Sequence, residues 1–166
     1  MMKKGIFTAT ALAAMAVTAA PAAAQQDFYG SLQVGIADFV FTESNGLSAV
    51  ATLGMPLRQF GDNVAFEAEY STTLSDPELG GFEVSYDTFA GYGVYALPIG
   101  EELAIRTRLG LAYERVEIGA ASDSNIAGSG SVGFTYQLQN NLRLIADHTV
   151  IGTDIANTTV GVQMSF

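Results

Sequence analysis

The sequence predicts an all-β chain: an eight-stranded antiparallel up-and-down transmembrane β-barrel preceded by a cleaved signal peptide. Three observations predict it. The first 24 residues have the build of an export signal, and from Phe28 onward nearly every segment alternates in polarity with period two. The alternating segments number eight, separated by turn residues, with no helical pattern between them.

The export signal comes first. Met1-Met2-Lys3-Lys4 is a short cationic head, residues 6–20 are apolar and rich in alanine, and Ala22 and Ala24 supply the small residues of an Ala-x-Ala cleavage site. A membrane anchor is the competing reading. The apolar run stops at Pro21, short of the roughly 20 residues that a spanning helix needs. The expected division is therefore a Sec signal peptide over 1–24 and a barrel over 25–166.

Removing the signal removes both lysines. Five arginines then face seventeen acids, a formal net charge of −12. Such a chain has no basic tract for nucleic acid, whose phosphates require clustered Lys and Arg. Disorder is excluded by 49% hydrophobic residues. There is no cysteine, so disulfides, thiolate metal sites and cysteine nucleophiles are unavailable. With no long apolar run left, entry into a membrane requires a closed sheet, because unpaired backbone groups in hydrocarbon cost several kcal/mol each.

The segments follow in order. Phe28, Gly30, Leu32, Val34 and Ile36 oppose Tyr29, Ser31, Gln33, Gly35 and Ala37. After Glu43-Ser44-Asn45-Gly46, Leu47, Ala49, Ala51, Leu53 and Met55 oppose Ser48, Val50, Thr52 and Gly54. The third segment sets Val64, Phe66, Ala68, Tyr70 and Thr72 against Ala65, Glu67, Glu69, Ser71 and Thr73. The fourth sets Phe82, Val84, Tyr86, Thr88, Ala90, Tyr92 and Val94 against Glu83, Ser85, Asp87, Phe89, Gly91, Gly93 and Tyr95. Leu103, Ile105, Thr107, Leu109, Leu111 and Tyr113 then oppose Ala104, Arg106, Arg108, Gly110, Ala112 and Glu114, and the alternation slips at 115–118, which predicts a bulge or a strand end. Past an expected loop at 119–125, Ile126, Gly128, Gly130, Val132, Phe134, Tyr136 and Leu138 form the sixth apolar face. In the seventh segment Leu142, Leu144, Ala146, His148 and Val150 oppose Arg143, Ile145, Asp147 and Thr149; in the eighth, Ala156, Thr158, Val160, Val162, Met164 and Phe166 oppose Asn157, Thr159, Gly161, Gln163 and Ser165. An even count lets the first and last strands pair and remove the sheet edges. Short connections after even segments and longer ones after odd segments fit the two ends of a membrane barrel.

A soluble barrel of lipocalin or avidin type would alternate in the same way with its apolar face inside. The inverted arrangement is favoured by the other face, which carries charges of both signs among many glycines, alanines and serines. Glu67, Glu69, Asp87, Arg106, Arg108, Glu114, Arg143 and Asp147 are assigned to it as a lumen charge network. An eight-stranded barrel is just wide enough for side chains to fill, so arginines and carboxylates at comparable heights meet across it. The opposite face becomes an almost charge-free belt suited to lipid.

The C-terminus carries a resemblance. Thr159-Val160-Gly161-Val162-Gln163-Met164-Ser165-Phe166 alternates and ends on an aromatic, and with the signal peptide and eight segments the chain resembles the small outer-membrane β-barrel proteins, the group that includes the OmpA transmembrane domain and OmpX. The resemblance implies residence in a Gram-negative outer membrane, in contact with lipid and lipopolysaccharide. It also implies recognition by the barrel-assembly machinery through Val160, Val162, Met164 and Phe166, and a monomer is expected. The loops are expected to be shorter than those of OmpX.

Chemistry is sparse. His148, the single histidine, is followed by Thr149 and Val150 and not by the His-x-Ser pattern of lipid A deacylases, and alternation turns it toward lipid. The Glu67/Glu69 and Arg106/Arg108 pairs read either as a structural plug or as an ion filter. The loop acids Glu43, Asp76, Glu78, Asp123 and Asp154 contain no calcium-type run, and no cofactor or metal is implied. The expected role is structural support of the envelope, with a narrow porin-like channel and a lipid-modifying enzyme as the alternatives.

Overall fold

The computed structural model of the chain describes residues 28–39, 45–75, 78–79, 82–119 and 121–166. The expected signal peptide with Ala22 and Ala24 lies outside the described residues, as do Glu43, Asp76 and the side chain of Glu78. The strands are β1 (Tyr29–Phe39), β2 (Gly46–Pro56), β3 (Val64–Ser75), the two-residue β4 (Glu78–Leu79), β5 (Phe82–Pro98), β6 (Leu103–Ile118), β7 (Ala121–Gln139), β8 (Leu142–Ile151) and β9 (Ile155–Ser165). Among the described residues β4 pairs with the start of β5 alone. The eight long strands pair in the order β3-β2-β1-β9-β8-β7-β6-β5, and β5 pairs back onto β3, so the sheet is a closed antiparallel barrel.

Closure follows from complementary ends. β1 meets β9 from Tyr29↔Ser165 to Phe39↔Ile155, and Phe166 N–H donates to the Phe28 carbonyl at 2.9 Å. Following cross-strand partners once round the barrel from Val64 returns to β3 at Ser75, so the ladder is strongly staggered. A stagger of this kind tilts the strands by roughly 40° to the barrel axis.

The apolar face is outside. Leu32, Val34, Leu53, Phe66, Phe89, Leu109, Leu111, Phe134, Leu144, Val160 and Val162 are all exposed. On β6 this face runs from Leu103 to Tyr113, about 33 Å along the strand, which at the tilt above projects to about 25 Å, the height of a membrane barrel's lipid band. The band has a sharp upper limit. Tyr70, Phe89 and Tyr113 form one cross-strand row, with the Tyr70 and Phe89 rings 4.8 Å apart, and the next outward row is Thr72, Asp87, Arg115 and Ser124.

That limit bears on two expectations from the sequence. Of the bulge or strand end expected at 115–118 it is the strand end that forms, because β6 runs without a register shift to its last residue, Ile118. Above the lipid band the outward side meets water, so Arg115 and Glu117 point out while Val116 and Ile118 pack inward against the core cluster. Residues 119–125 do not form a loop: Ile118 pairs with Ala121, and β7 begins at once. The ladder to β6 holds Ser122, Asp123, Ser124 and Asn125 in a strand that their individual preferences disfavour. Consequently Ile118 and Ala121 pair directly and β8 passes to β9 through a tight turn at 152–154, where longer loops were expected.

Candidate functional site: the barrel lumen

The lumen is built in two storeys. Near the end where β1 begins and β9 ends, β3 supplies Glu67 and Glu69, β6 supplies Arg106 and Arg108, and β8 supplies Asp147, at odd or even positions that keep these side chains on the inner face. All five are 5% exposed or less. Arg106 Nη2 reaches Glu67 Oε2 at 2.6 Å and its Nε lies 3.3 Å from Asp147 Oδ1. Arg108 pairs with Glu69 through Nη1, which also lies 3.5 Å from Glu67, while Nη2 donates to Thr149 Oγ1 at 2.8 Å. The Arg108 guanidinium also stacks 4.5 Å from the centre of the Tyr92 ring.

Neutral groups complete the shell. Tyr29 Oη donates to Glu67 Oε1 at 2.7 Å, Gln33 Nε2 to Asp147 Oδ2 at 3.4 Å, and Thr159 Oγ1 to Gln33 Oε1 at 2.7 Å. Glycines make the room: a Cβ on Gly54 would fall inside the Tyr29 ring, and one on Gly133 would strike the Asp147 carboxylate. Taking charges out of water costs several kcal/mol per ion unless partners surround them. Here the partners come from strands all round the wall, so the network ties opposite sides of the barrel together.

The outer storey is apolar. Phe39, Val84, Tyr86, Ile151 and Ile155 are 2% exposed or less and close the lumen above the charges, with the Phe39 and Tyr86 rings edge to face at 5.4 Å. Beneath them Ser48 Oγ donates to Asn157 Oδ1 at 2.7 Å and Asn157 Nδ2 to Tyr86 Oη at 3.0 Å. At the opposite end the lumen widens into a cavity of about 730 Å³ whose lining includes Arg58, Asp62, Glu102, Arg106, Arg143 and Gln163.

Three of the residues assigned to the network lie elsewhere. Asp87 faces outward at the upper limit of the lipid band, where its carboxylate accepts from Tyr70 Oη at 2.6 Å. The two faces of β5 are the reverse of those assigned: Val84, Tyr86, Thr88, Ala90, Tyr92 and Val94 face the lumen, and Phe89 and Tyr95 face out. The reason is that Tyr86 and Tyr92 have hydroxyl groups that require buried partners, Asn157 and Ser129, whereas Phe89 has none to satisfy. Arg143 faces the lumen mouth but is exposed, and donates from Nε to Gln137 Oε1 at 2.6 Å rather than to a carboxylate, because it stands one residue above the turn. Glu114 faces inward near Gly152, above both arginines. His148 lies on the outer face, its Nδ1 2.9 Å from Thr158 Oγ1. Val160, Met164 and Phe166 are exposed on the outer face of β9.

The sequence reading missed the neutral shell and the apolar closure. Gln33, Asn157 and Gln163 stood on faces already assigned to the lumen, so their alternation was a usable signal. Tyr29 stood on the same face as Gln33 and carried the same signal, whereas Tyr92 stood on the face of its strand assigned to lipid, so alternation pointed away from it.

A strand-built barrel with a belt outside and charges inside is the architecture of the outer membrane. The sequence model described as "Outer membrane protein beta-barrel domain" matches residues 7–166, and the chain belongs to that family. Its cellular location is therefore the outer membrane. No curated protein matches the chain. Among solved structures it is similar to Neisserial surface protein A (NspA), with a TM-score of 0.67 at 13% identity over 85% of this chain and 97% of that one. It is also similar to the N-terminal β-barrel domain of Pseudomonas aeruginosa OprF, with 0.64 at 14% over 86% and 100%. A third is Ail, the attachment invasion locus protein of Yersinia pestis, with 0.57 at 10% over 85% and 97%. At these identities the likeness establishes the fold alone.

Proposed function

We propose that the chain is a structural barrel of the outer membrane, a sealed element that supports envelope integrity and surface properties and neither conducts nor catalyses. One observation carries this reading: the lumen is filled at two levels, by the Arg106/Arg108–carboxylate network and by the apolar closure of Phe39, Val84, Tyr86, Ile151 and Ile155. A channel would have to break both. The cavity at the end where β1 begins supports a pore no further than the network, which forms its floor. A lipid-modifying role would rest on His148, whose Nδ1 lies 2.9 Å from the Thr158 hydroxyl on the lipid-facing wall. The barrel works as a monomer in contact with lipid and lipopolysaccharide, inserted by the barrel-assembly machinery acting on the outward row Val160, Val162, Met164 and Phe166. The reading is tested by deleting the protein from its cell and measuring entry of large antibiotics and detergents. Increased entry, restored equally by the native chain and by His148→Ala, is expected; unchanged entry, or restoration by the native chain alone, contradicts it.

A further inference from the structure

The cavity below the charge network, about 730 Å³, has two unlike walls. β3, β5 and β6 line one side with small apolar groups: Ala65 pairs with Val94 across the sheet, and Ala96 and Ala104 stand beside them. β7, β8 and β9 line the other side with the cross-strand row Gln137–Arg143–Gln163. Arg106 stands at the floor, and the apolar closure beyond the network makes the cavity a dead end. The strands that outgrow the lipid band, β5 to β7, do so at the other end, so this mouth is the periplasmic one.

Two side chains of the polar wall have donors to spare. Arg143 donates from Nε to Gln137 Oε1, and among the described residues no carboxylate pairs with it, which leaves the fork of its two Nη groups. Gln163 is 4% exposed; its Oε1 accepts from Arg106 Nη1 at 3.5 Å, and no described residue accepts from its Nε2. A buried donor without an acceptor is costly, and a guanidinium fork matches a carboxylate. Charge restricts which carboxylate fits. Below the closure the inward Arg106, Arg108 and Arg143 balance Glu67, Glu69 and Asp147, so a simple anion or cation would leave an uncompensated charge. The mouth carries Asp62, Glu101 and Glu102 against Arg58, an acidic rim. A zwitterion with its carboxylate inward and its ammonium outward matches both levels and adds no net charge.

We propose that this cavity is a binding site for a short periplasmic peptide of small aliphatic residues. Its C-terminal carboxylate is held between Arg143 and Gln163, its side chains lie on the alanine wall, and its amino group reaches the acidic rim. Length agrees with this placement. From Glu102 into β6, Arg106 is four residues on, about 13 Å along the strand and about 10 Å along the axis at a tilt of roughly 40°. An extended chain of three residues spans about 10 Å. Binding of this kind needs no passage through the barrel, so it adds an activity to the sealed element without opening it.

The test uses the folded barrel in lipid nanodiscs, with tri-alanine as the probe and NMR shifts of backbone and side-chain N–H groups as the readout. Tri-alanine is expected to shift the side-chain N–H signals of Arg143 and Gln163 and the amides of Ala65, Ala96 and Ala104 saturably, and to leave Leu32 and His148 unmoved. Tri-alanine amide lacks the carboxylate and N-acetyl-tri-alanine lacks the ammonium, and each is expected to bind at least tenfold more weakly. Arg143 is exposed and outside the ion-pair network, so Arg143→Gln is expected to fold and to bind tri-alanine at least tenfold more weakly. Ala96→Phe fills the apolar side without touching a charge, with the same expectation. Absence of a saturable shift, equal binding of the amidated or acetylated peptide, or equal binding by either folded variant overturns the proposal. So does binding of acetate as tight as that of tri-alanine, which would make the cavity a plain anion site.

Discussion

Arg108 is the residue on which most of the lumen turns. It meets Glu69, Glu67, Thr149 and the face of Tyr92, so its removal strands carboxylates in a buried site. Arg108→Ala is expected to destabilise the folded barrel by about 3–5 kcal/mol, read as a lowered urea midpoint in detergent. Replacing Arg108 and Glu69 together by Met and Leu is expected to recover much of that loss, because well-packed apolar pairs of similar volume substitute for buried ion pairs without loss of stability. Tyr29→Phe removes one hydrogen bond to a charged group and is expected to cost about 1.5–3 kcal/mol in the same assay. Gly54→Ala reaches the same tyrosine from the other side, by displacing its ring, so Tyr29→Phe and Gly54→Ala should be far from additive. Additive losses would show that ring packing and the hydroxyl bond are independent.

At the scale of elements, β9 and the β6–β7 hairpin make separable predictions. β9 closes the sheet against β1 over its whole length, but among the described residues Phe166 itself adds one backbone bond, to Phe28, and an exposed ring. Deleting Phe166 is therefore expected to lower the yield of heat-modifiable barrel in cells severalfold while leaving the urea midpoint of the purified barrel nearly unchanged; a large midpoint shift would mean the residue acts through stability. The hairpin above Tyr113 lies outside the lipid band, so shortening it at 117–122 with a two-residue turn should leave a folded, membrane-embedded barrel. The sequence was easiest to read where one side of a strand meets lipid and the other a polar lumen, as in β3 and β9. It misled on β5, because Val84, Tyr86, Ala90, Tyr92 and Val94 alternate with Phe89, glycines and Tyr95, two faces of similar polarity, and Asp87 carries its charge outward at the upper limit of the lipid band. It misled again at 119–125, because the inside and outside of a strand exchange polarity where it leaves the membrane. A slip in alternation at 115–118 marks the water boundary and not a bulge.

The whole molecule is a short cylinder whose outer surface is matched to lipid and whose interior is filled with its own side chains. Eight strands and a polar inner face were legible because both follow from period-two patterning. Sealing was only partly legible: pairing of buried arginines with carboxylates follows from charge and width, but the apolar closure depends on which residues the stagger brings to one height, and that register is written in no single strand. Membership of an outer-membrane family and the fold shared with NspA, OprF and Ail fix the location and architecture, and leave the sealed lumen as the claim on which the functional reading rests. Its most direct test is the conductance of the purified barrel in planar bilayers, native and with Arg106→Ala and Arg108→Ala combined. The account predicts no steady channel in either, because the closure formed by Phe39, Val84, Tyr86, Ile151 and Ile155 remains when the charges are removed; a reproducible open state of the native barrel would contradict it.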